Sequence, residues 1–230
     1  MNSRDEQDDA FSALRGAYHT KRTSLFARMA DSWRDMRGAT RRLIEENPSE
    51  ARLLFYVLMS DMIFFLSWSI KTIVAPTQVF KDTFEGGGGV EANIVIGSVL
   101  ISALFLRTAV VYVFSAILGA ILRLFGGKGS WKDTRTGIFW GSFVAAPFGL
   151  LMAIVTVIFS SLEGVIPLFG NSVVAQLPYW LALMPFVWLC SLGAAEAHGF
   201  KRSAPLFMAM ALLTMLVWFG ALVLRARGIF

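Results

Sequence analysis

The chain has 230 residues, 56% of them apolar and only 16% charged, against about 45–50% and about 25% in a soluble domain. With a mean hydropathy of +0.60 and 20 Phe, 10 Met and 7 Trp, it carries more apolar surface than one water-soluble core of this size hides. A single cysteine excludes a disulfide scaffold and the apolar content excludes a disordered chain, which leaves an integral membrane protein. The net charge is +5 and the pI about 9.7, yet no basic stripe lies on a soluble domain, so nucleic acid is not the expected partner.

Residues 1–20 form a loose polar tail with a weak apolar pattern at Phe11, Leu14 and Tyr18. No short basic region leads into an apolar run, so no cleavable signal peptide is expected. Residues 21–46 read as a cytoplasmic amphipathic helix. Phe26, Met29, Trp33, Met36, Thr40 and Leu43 recur three and four apart on one face, with Arg28, Asp31, Arg34, Asp35, Arg41 and Arg42 on the others. From Lys21 to Arg42 there are seven basic and two acidic side chains, the pattern of a helix lying on anionic lipid. A helix docked on the protein's own cytoplasmic loops or in a partner's groove has the same pattern, and both uses stay open. Asn47-Pro48-Ser49-Glu50 then restarts the chain, with Asn47 as the expected cap, Pro48 in the first turn and Glu50 reaching back.

Residues 47–230 read as a membrane domain of five helices, each near the roughly 20 residues a bilayer requires. The spans are expected at about 53–75, 97–122 (inside a longer apolar run from Ala92), 138–161, 177–195 and 204–224. Pro147 and Pro185 fall inside spans, where neighbouring helices support such breaks. Gly86 to Gly89 form a flexible exterior turn. The loop after span two carries Arg123, Lys128, Lys132 and Arg135 against Asp133, and the loop after span four Lys201 and Arg202 against Glu196. Arg41, Arg42 and Arg52 precede span one, whereas the other side has Lys81 in its first loop, no basic residue between spans three and four, and Arg225 and Arg227 at the C-terminus. The positive-inside rule then places the N-terminus in the cytoplasm and the C-terminus opposite. Trp131 and Trp140, and on the far side Tyr179 and Trp180, fit as interfacial anchors.

Three ionisable residues fall inside spans: Asp61 and Lys71 in the first, Arg107 in the second. A charge at the bilayer centre costs about 2.5–3.5 kcal/mol, so such groups face the protein interior and pair. Counted from Arg52, Asp61 lies roughly 13 Å deep, and counted from Arg123, Arg107 lies roughly 24 Å deep. Arginine reach and helix tilt can close that offset. An ion pair between Asp61 and Arg107 is expected, with a proton or ion relay as the alternative and Lys71 snorkelling to the far surface. In span three, Gly137, Gly141, Ala145, Gly149 and Ala153 recur every four residues, a small-residue face for close helix packing within the chain or, alternatively, between two copies.

Enzyme signatures fail. Gly126-Gly127-Lys128-Gly129-Ser130 has Leu122 where a phosphate loop needs its first glycine and Gly129 in place of its Ser or Thr. His19 and His198 are the only histidines, and Cys190 lies inside span four, so neither a metal nor another cofactor is expected. Glu196 and His198 read as a solvated turn.

The order of features resembles the Yip family of five-span membrane proteins, named for interaction with Ypt/Rab GTPases. Three places carry it: Glu46-Asn47-Pro48 with Ser49-Glu50-Ala51-Arg52 before span one, Leu124-Phe125-Gly126-Gly127-Lys128-Gly129-Ser130-Trp131 before span three with Pro147 inside it, and the loop His198 to Ser203. It covers roughly residues 40 to 225 and is closer to the bacterial branch, which implies a bacterial cytoplasmic (inner) membrane. The acidic Asp-Leu-Tyr-Gly motif of the eukaryotic branch does not occur in this sequence, so the resemblance does not bring GTPase binding with it.

The expected function is that of a non-enzymatic membrane scaffold, adaptor or bilayer-organising protein. Its partners are the bilayer, anionic lipid within it, and other proteins or further copies of the chain. A small transporter or channel built on Asp61 and Arg107 is the alternative, and an accessory subunit of a larger complex a further one.

Overall fold

In the computed structural model, residues 24–74, 92–170 and 172–227 are described. Every regular element among them is helical. The expected tail 1–20 and glycine turn 86–89 lie outside the described residues.

Two short helices open the described chain, α1 (Leu25–Arg34) and α2 (Met36–Glu45). Ser24 caps α1 by accepting from the Ala27 N–H at 3.2 Å. Asp35 ends it: its backbone leaves helical geometry at φ −142° and its carboxylate accepts from the Gly38 N–H at 2.9 Å. A short acid that can satisfy a free helix-end N–H competes with continuation of the helix. The single helix expected over 21–46 is therefore two in the described part.

The long helices follow. Helix α3 (Glu50–Val74) is capped by Ser49, whose Oγ accepts from Arg52 N at 3.3 Å. Asn47, the expected cap, instead sits at φ 48° and accepts from Lys132 Nζ at 2.5 Å. Helix α4 (Ala92–Ile101) runs through a π-helical segment, Ser102–Arg107, into α5 (Thr108–Leu124). Helix α6 (Trp131–Leu162) starts with a reciprocal cap between Ser130 and Asp133 and contains Pro147. A short 3-10 turn (Pro167–Gly170) leads to α7 (Ser172–Ala197), which holds Pro178 and Pro185, and α8 (Ala204–Ala226) ends the chain's described part. By length and composition, four stretches can cross a membrane: Glu50–Thr72, Ile96–Leu124, Trp131–Leu162 and Trp180–Ala197. A fifth apolar stretch, Ala204–Val217, is shorter.

Helix α6 is the centre, packed between α3 and α7, with α5 also against it and α8 leaning on α7. Gly137 of α6 and Gly193 of α7 bring two backbones together: a Cβ on Gly137 would stand 3.1 Å from Ala194 N, and one on Gly193 would stand 3.1 Å from Gly137 Cα. A Cβ on Gly141 would stand 2.9 Å from both Leu189 O and Cys190 Cα. Ser60 of α3 and Ser142 of α6 join hydroxyls at 2.8 Å, a small polar contact between close helices.

The exposed surface is apolar where a soluble protein's is not. Phe105, Leu106, Met215 and Val217 are all more than 60% exposed, as side chains facing lipid tails are. The tightest packing sits at the end of the bundle that receives α1 and α2, around Leu43, Leu53, Val57, Phe139, Trp140 and Val144. Trp140, expected as an interfacial anchor, is 2% exposed and donates from its indole to Ser32 Oγ at 3.0 Å. Its place is the joint between α1 and α6.

Gly137→Leu is expected to destabilise the detergent-solubilised protein by about 1–3 kcal/mol, the cost of overpacking. Gly97→Ala, where a Cβ meets nothing within 4 Å, should be neutral. Thermal unfolding of the two variants side by side checks this.

Candidate functional site

Two sites emerge, one inside the bundle and one where the N-terminal helices dock.

Inside, Asp61 on α3 is completely buried. Arg107, the last residue of the π-helical segment, forms an ion pair with it through Nη1 and Oδ1. Thr108 Oγ1 donates to Asp61 Oδ2 at 2.5 Å. Arg107 Nη2 lies 3.5 Å from Ser60 Oγ, and its guanidinium carbon stands 5.2 Å from the centre of the Phe64 ring. Both carboxylate oxygens thus have partners, as a charge removed from water requires. The depth offset estimated from the sequence does not keep the two side chains apart. Arg52 is held by Tyr56 and Glu46, and Arg123 lies over the Trp131 ring at 3.9 Å.

Lys71 is not part of this pair. It lines a cavity of about 470 Å³ between α3, the π-helical segment, α6 and α7, into which Arg107 also opens. The small residues of α6 divide between two neighbours. Gly137 and Gly141 meet α7, whereas Ala145, Gly149 and Ala153 line the cavity.

At the docking end, Met29, Met36 and Leu43 are buried against the bundle, whereas Phe26 is 68% exposed. Trp33 keeps an exposed edge, yet its indole donates to Val144 O at 2.9 Å and its ring meets Phe148 edge-on at 5.7 Å. The decisive residue is Glu196, which sequence reasoning left in a solvated turn. Its side chain is 7% exposed and accepts from Arg37 Nε at 2.8 Å and Arg41 Nε at 2.7 Å. Arg37 also donates to the carbonyls of Phe200 and Lys201, at 2.5 and 2.8 Å, satisfying free acceptors beyond the end of α7. Arg28 and Arg52 both pair with Glu46. One signal for Glu196 was present in the sequence: an acid at a helix C-terminus opposes the helix dipole and calls for a cation.

His198 is buried as well, 2% exposed, beneath the Gly127–Gly129 loop. Its Nε2 lies 2.8 Å from Thr134 Oγ1, whose own proton goes to Ser130 O. The hydroxyl has one proton to give, so the imidazole donates from Nε2 and carries a bare Nδ1. That Nδ1 is buried with no hydrogen-bond partner. Burial, assisted by the nearby Arg123 charge, holds the imidazole pKa below its ordinary value. Among the described residues, no three His, Cys, Asp or Glu side chains gather as a metal site would.

Asp61→Asn should strand the Arg107 charge and cost about 3–5 kcal/mol, whereas Asp61→Asn with Arg107→Gln should lose clearly less. Equal loss in the single and double variants, read by thermal unfolding, would contradict the pairing. For His198 the folded pKa is the lower one, so the unfolded chain binds the extra proton. Stability is greatest above about pH 6.5 and falls as the pH drops below it. The melting temperature should therefore decline more steeply between about pH 7 and pH 5 in the parent than in a His198→Gln variant.

Compared with known families, residues 30–224 match the Yip1 domain. The match begins within α1, earlier than the sequence features at residue 40 suggested. No curated protein matches the chain, and no solved structure matches it.

Proposed function

The chain belongs to the Yip1 family, and from that membership we propose a non-enzymatic membrane scaffold or adaptor whose α1 and α2 form a cytoplasmic platform for other proteins. The observation that carries the proposal is the fixed seat of these helices. Ion pairs from Arg37 and Arg41 to Glu196, with the Trp33 and Trp140 indole bonds, clamp one face to the bundle. Phe26, Arg34 and Arg42 point outward. A helix pair held this way presents a constant surface of mixed charge with an exposed aromatic ring, suited to a partner groove.

The membrane arrangement proposed with it is five spans in a bacterial cytoplasmic (inner) membrane, N-terminus inside and C-terminus opposite. Helix α8 supports the fifth span: its 23 residues reach about 34 Å, enough for a hydrocarbon core of about 30 Å. The orientation is supported by Lys132, Arg135 and Lys201, which gather around α2 and the start of α3 through Asn47, Glu50 and Arg37.

A transporter or channel is the second reading, favoured by the cavity beside the Asp61–Arg107 pair; flux that Asp61→Asn abolishes in proteoliposomes would establish it instead. For the platform, a photo-crosslinker at Phe26 or Arg42 in living cells is expected to capture a discrete protein. Lipid adducts alone would overturn the partner-binding reading in favour of a helix pair lying on the bilayer. A reporter fused after Phe230 should be active on the far side, and cytoplasmic activity would overturn the five-span count.

A further inference from the structure

His198 carries a buried atom that the docked helices do not use. Its Nδ1 has no hydrogen-bond partner, and the Gly127–Gly129 loop is pressed onto the ring. A Cβ on Gly127 would stand 2.6 Å from Nδ1, and one on Gly129 3.2 Å from Cγ. With Nε2 already donating to Thr134, a second proton would create an N–H without an acceptor and a charge without water around it. The charged groups nearby do not answer that charge. On α5, Arg123 repels it and donates to Gly129 O at 3.0 Å. On α6, Asp133 attracts it, but that carboxylate accepts from the Ser130 N–H at 2.8 Å. Lys128 in the loop and Lys201 and Arg202 beyond α7 are cations. Glu196 of α7 is shared by Arg37 and Arg41 of α2. Burial first, and Arg123 second, therefore lower the pKa of the ring.

The ring sits inside the seat of the N-terminal helices. Arg37 grips Glu196 two residues before His198, and the carbonyls of Phe200 and Lys201 two and three residues after it. The His198 carbonyl accepts from the Lys128 N–H at 3.2 Å, which ties the loop to the end of α7. The imidazole also stacks on the Phe200 ring, with centroids 6.2 Å apart. An imidazolium gains its solvation only by leaving this site, and it leaves only if the loop or the turn moves. We propose that His198 is an acid-sensitive latch: protonation lifts the Gly127–Gly129 loop from the end of α7, loosens the 196–201 turn that Arg37 holds, and releases α1 and α2 from the bundle. The released state binds the proton more tightly than the docked one, so docking is complete well above about pH 6.5 and is lost as the pH falls below it. One proton changes the docking equilibrium by up to about tenfold per pH unit.

The latch concerns whether α1 and α2 are docked and not what they bind, so its failure and that of the platform are read separately. Spin labels are placed on full-length protein in nanodiscs at Arg34→Cys and Leu124→Cys, both exposed sites; the native Cys190 is buried. Pulsed electron resonance between pH 7.5 and 5 should show a second, longer distance growing as the pH falls. His198→Gln, which keeps an N–H donor and cannot take the proton, should hold the docked distance throughout. A pH response that persists in His198→Gln would place it on a carboxyl such as Glu196 and overturn the latch. A control pair at Ile117→Cys and Met208→Cys, exposed positions on α5 and α8, should not move; movement there would mean that the whole bundle opens and would overturn a local release. A measurement on unaltered protein covers the case of a His198→Gln chain that does not fold. Hydrogen exchange, corrected for its intrinsic pH dependence, should quicken at the Lys128 and Phe200 amides, which donate to His198 O and Ala195 O, over the pH range in which the helices leave. Unchanged protection at both amides would overturn the proposal.

Discussion

Helices α6 and α7 meet backbone to backbone at Gly137 and Gly193, and the rest of the molecule is arranged around that contact. In a bilayer two helices gain little from hiding apolar surface, because lipid tails are as apolar as leucine. What holds them is closeness, and closeness needs residues without side chains. Helix α3 then lies against α6, α8 against α7, and the N-terminal pair against both members of the central couple. Toward the far end of α6 the small residues continue at Ala145, Gly149 and Ala153, but there they line the cavity. The same four-residue repeat thus builds a tight contact at one end and leaves space at the other.

Charge makes two further ties that close packing alone cannot. Asp61 and Arg107 join α3 to the end of the π-helical segment inside the bundle. Glu196 joins α2 to the end of α7 outside it. Both consist of an acid on one element and arginine on another, and both are backed by neutral donors or acceptors nearby. The inner tie is shielded from salt, whereas the outer one has Arg41 facing solvent and is more open to ionic screening.

The long apolar runs were legible because a membrane span is written in consecutive residues and requires no knowledge of its neighbours. So was the four-residue recurrence of glycine and alanine on α6. Its counterpart, Gly193, belongs to no repeat and became visible only opposite Gly137. Trp140, Glu196 and His198 were misread for one reason. Their surroundings come from elements far away in sequence, so the local text shows a tryptophan near a helix start and a polar turn. The break at Asp35 was written locally, in a residue able to cap the helix that follows it, but the unbroken apolar stripe across it concealed the stop.

The Arg37–Glu196 contact joins residues 159 positions apart, and that separation sets an order of events during synthesis. A ribosome adding about 5–20 residues per second delivers Glu196 roughly ten to thirty seconds after Arg37. Over that interval the seat of the N-terminal helices is incomplete, because the end of α7 and the Phe200–Lys201 carbonyls do not yet exist. The docked arrangement of α1 and α2 is therefore completed late in biogenesis. Met29, Met36 and Leu43, buried in the finished protein, begin that time available to the membrane surface or to whatever guides the nascent chain.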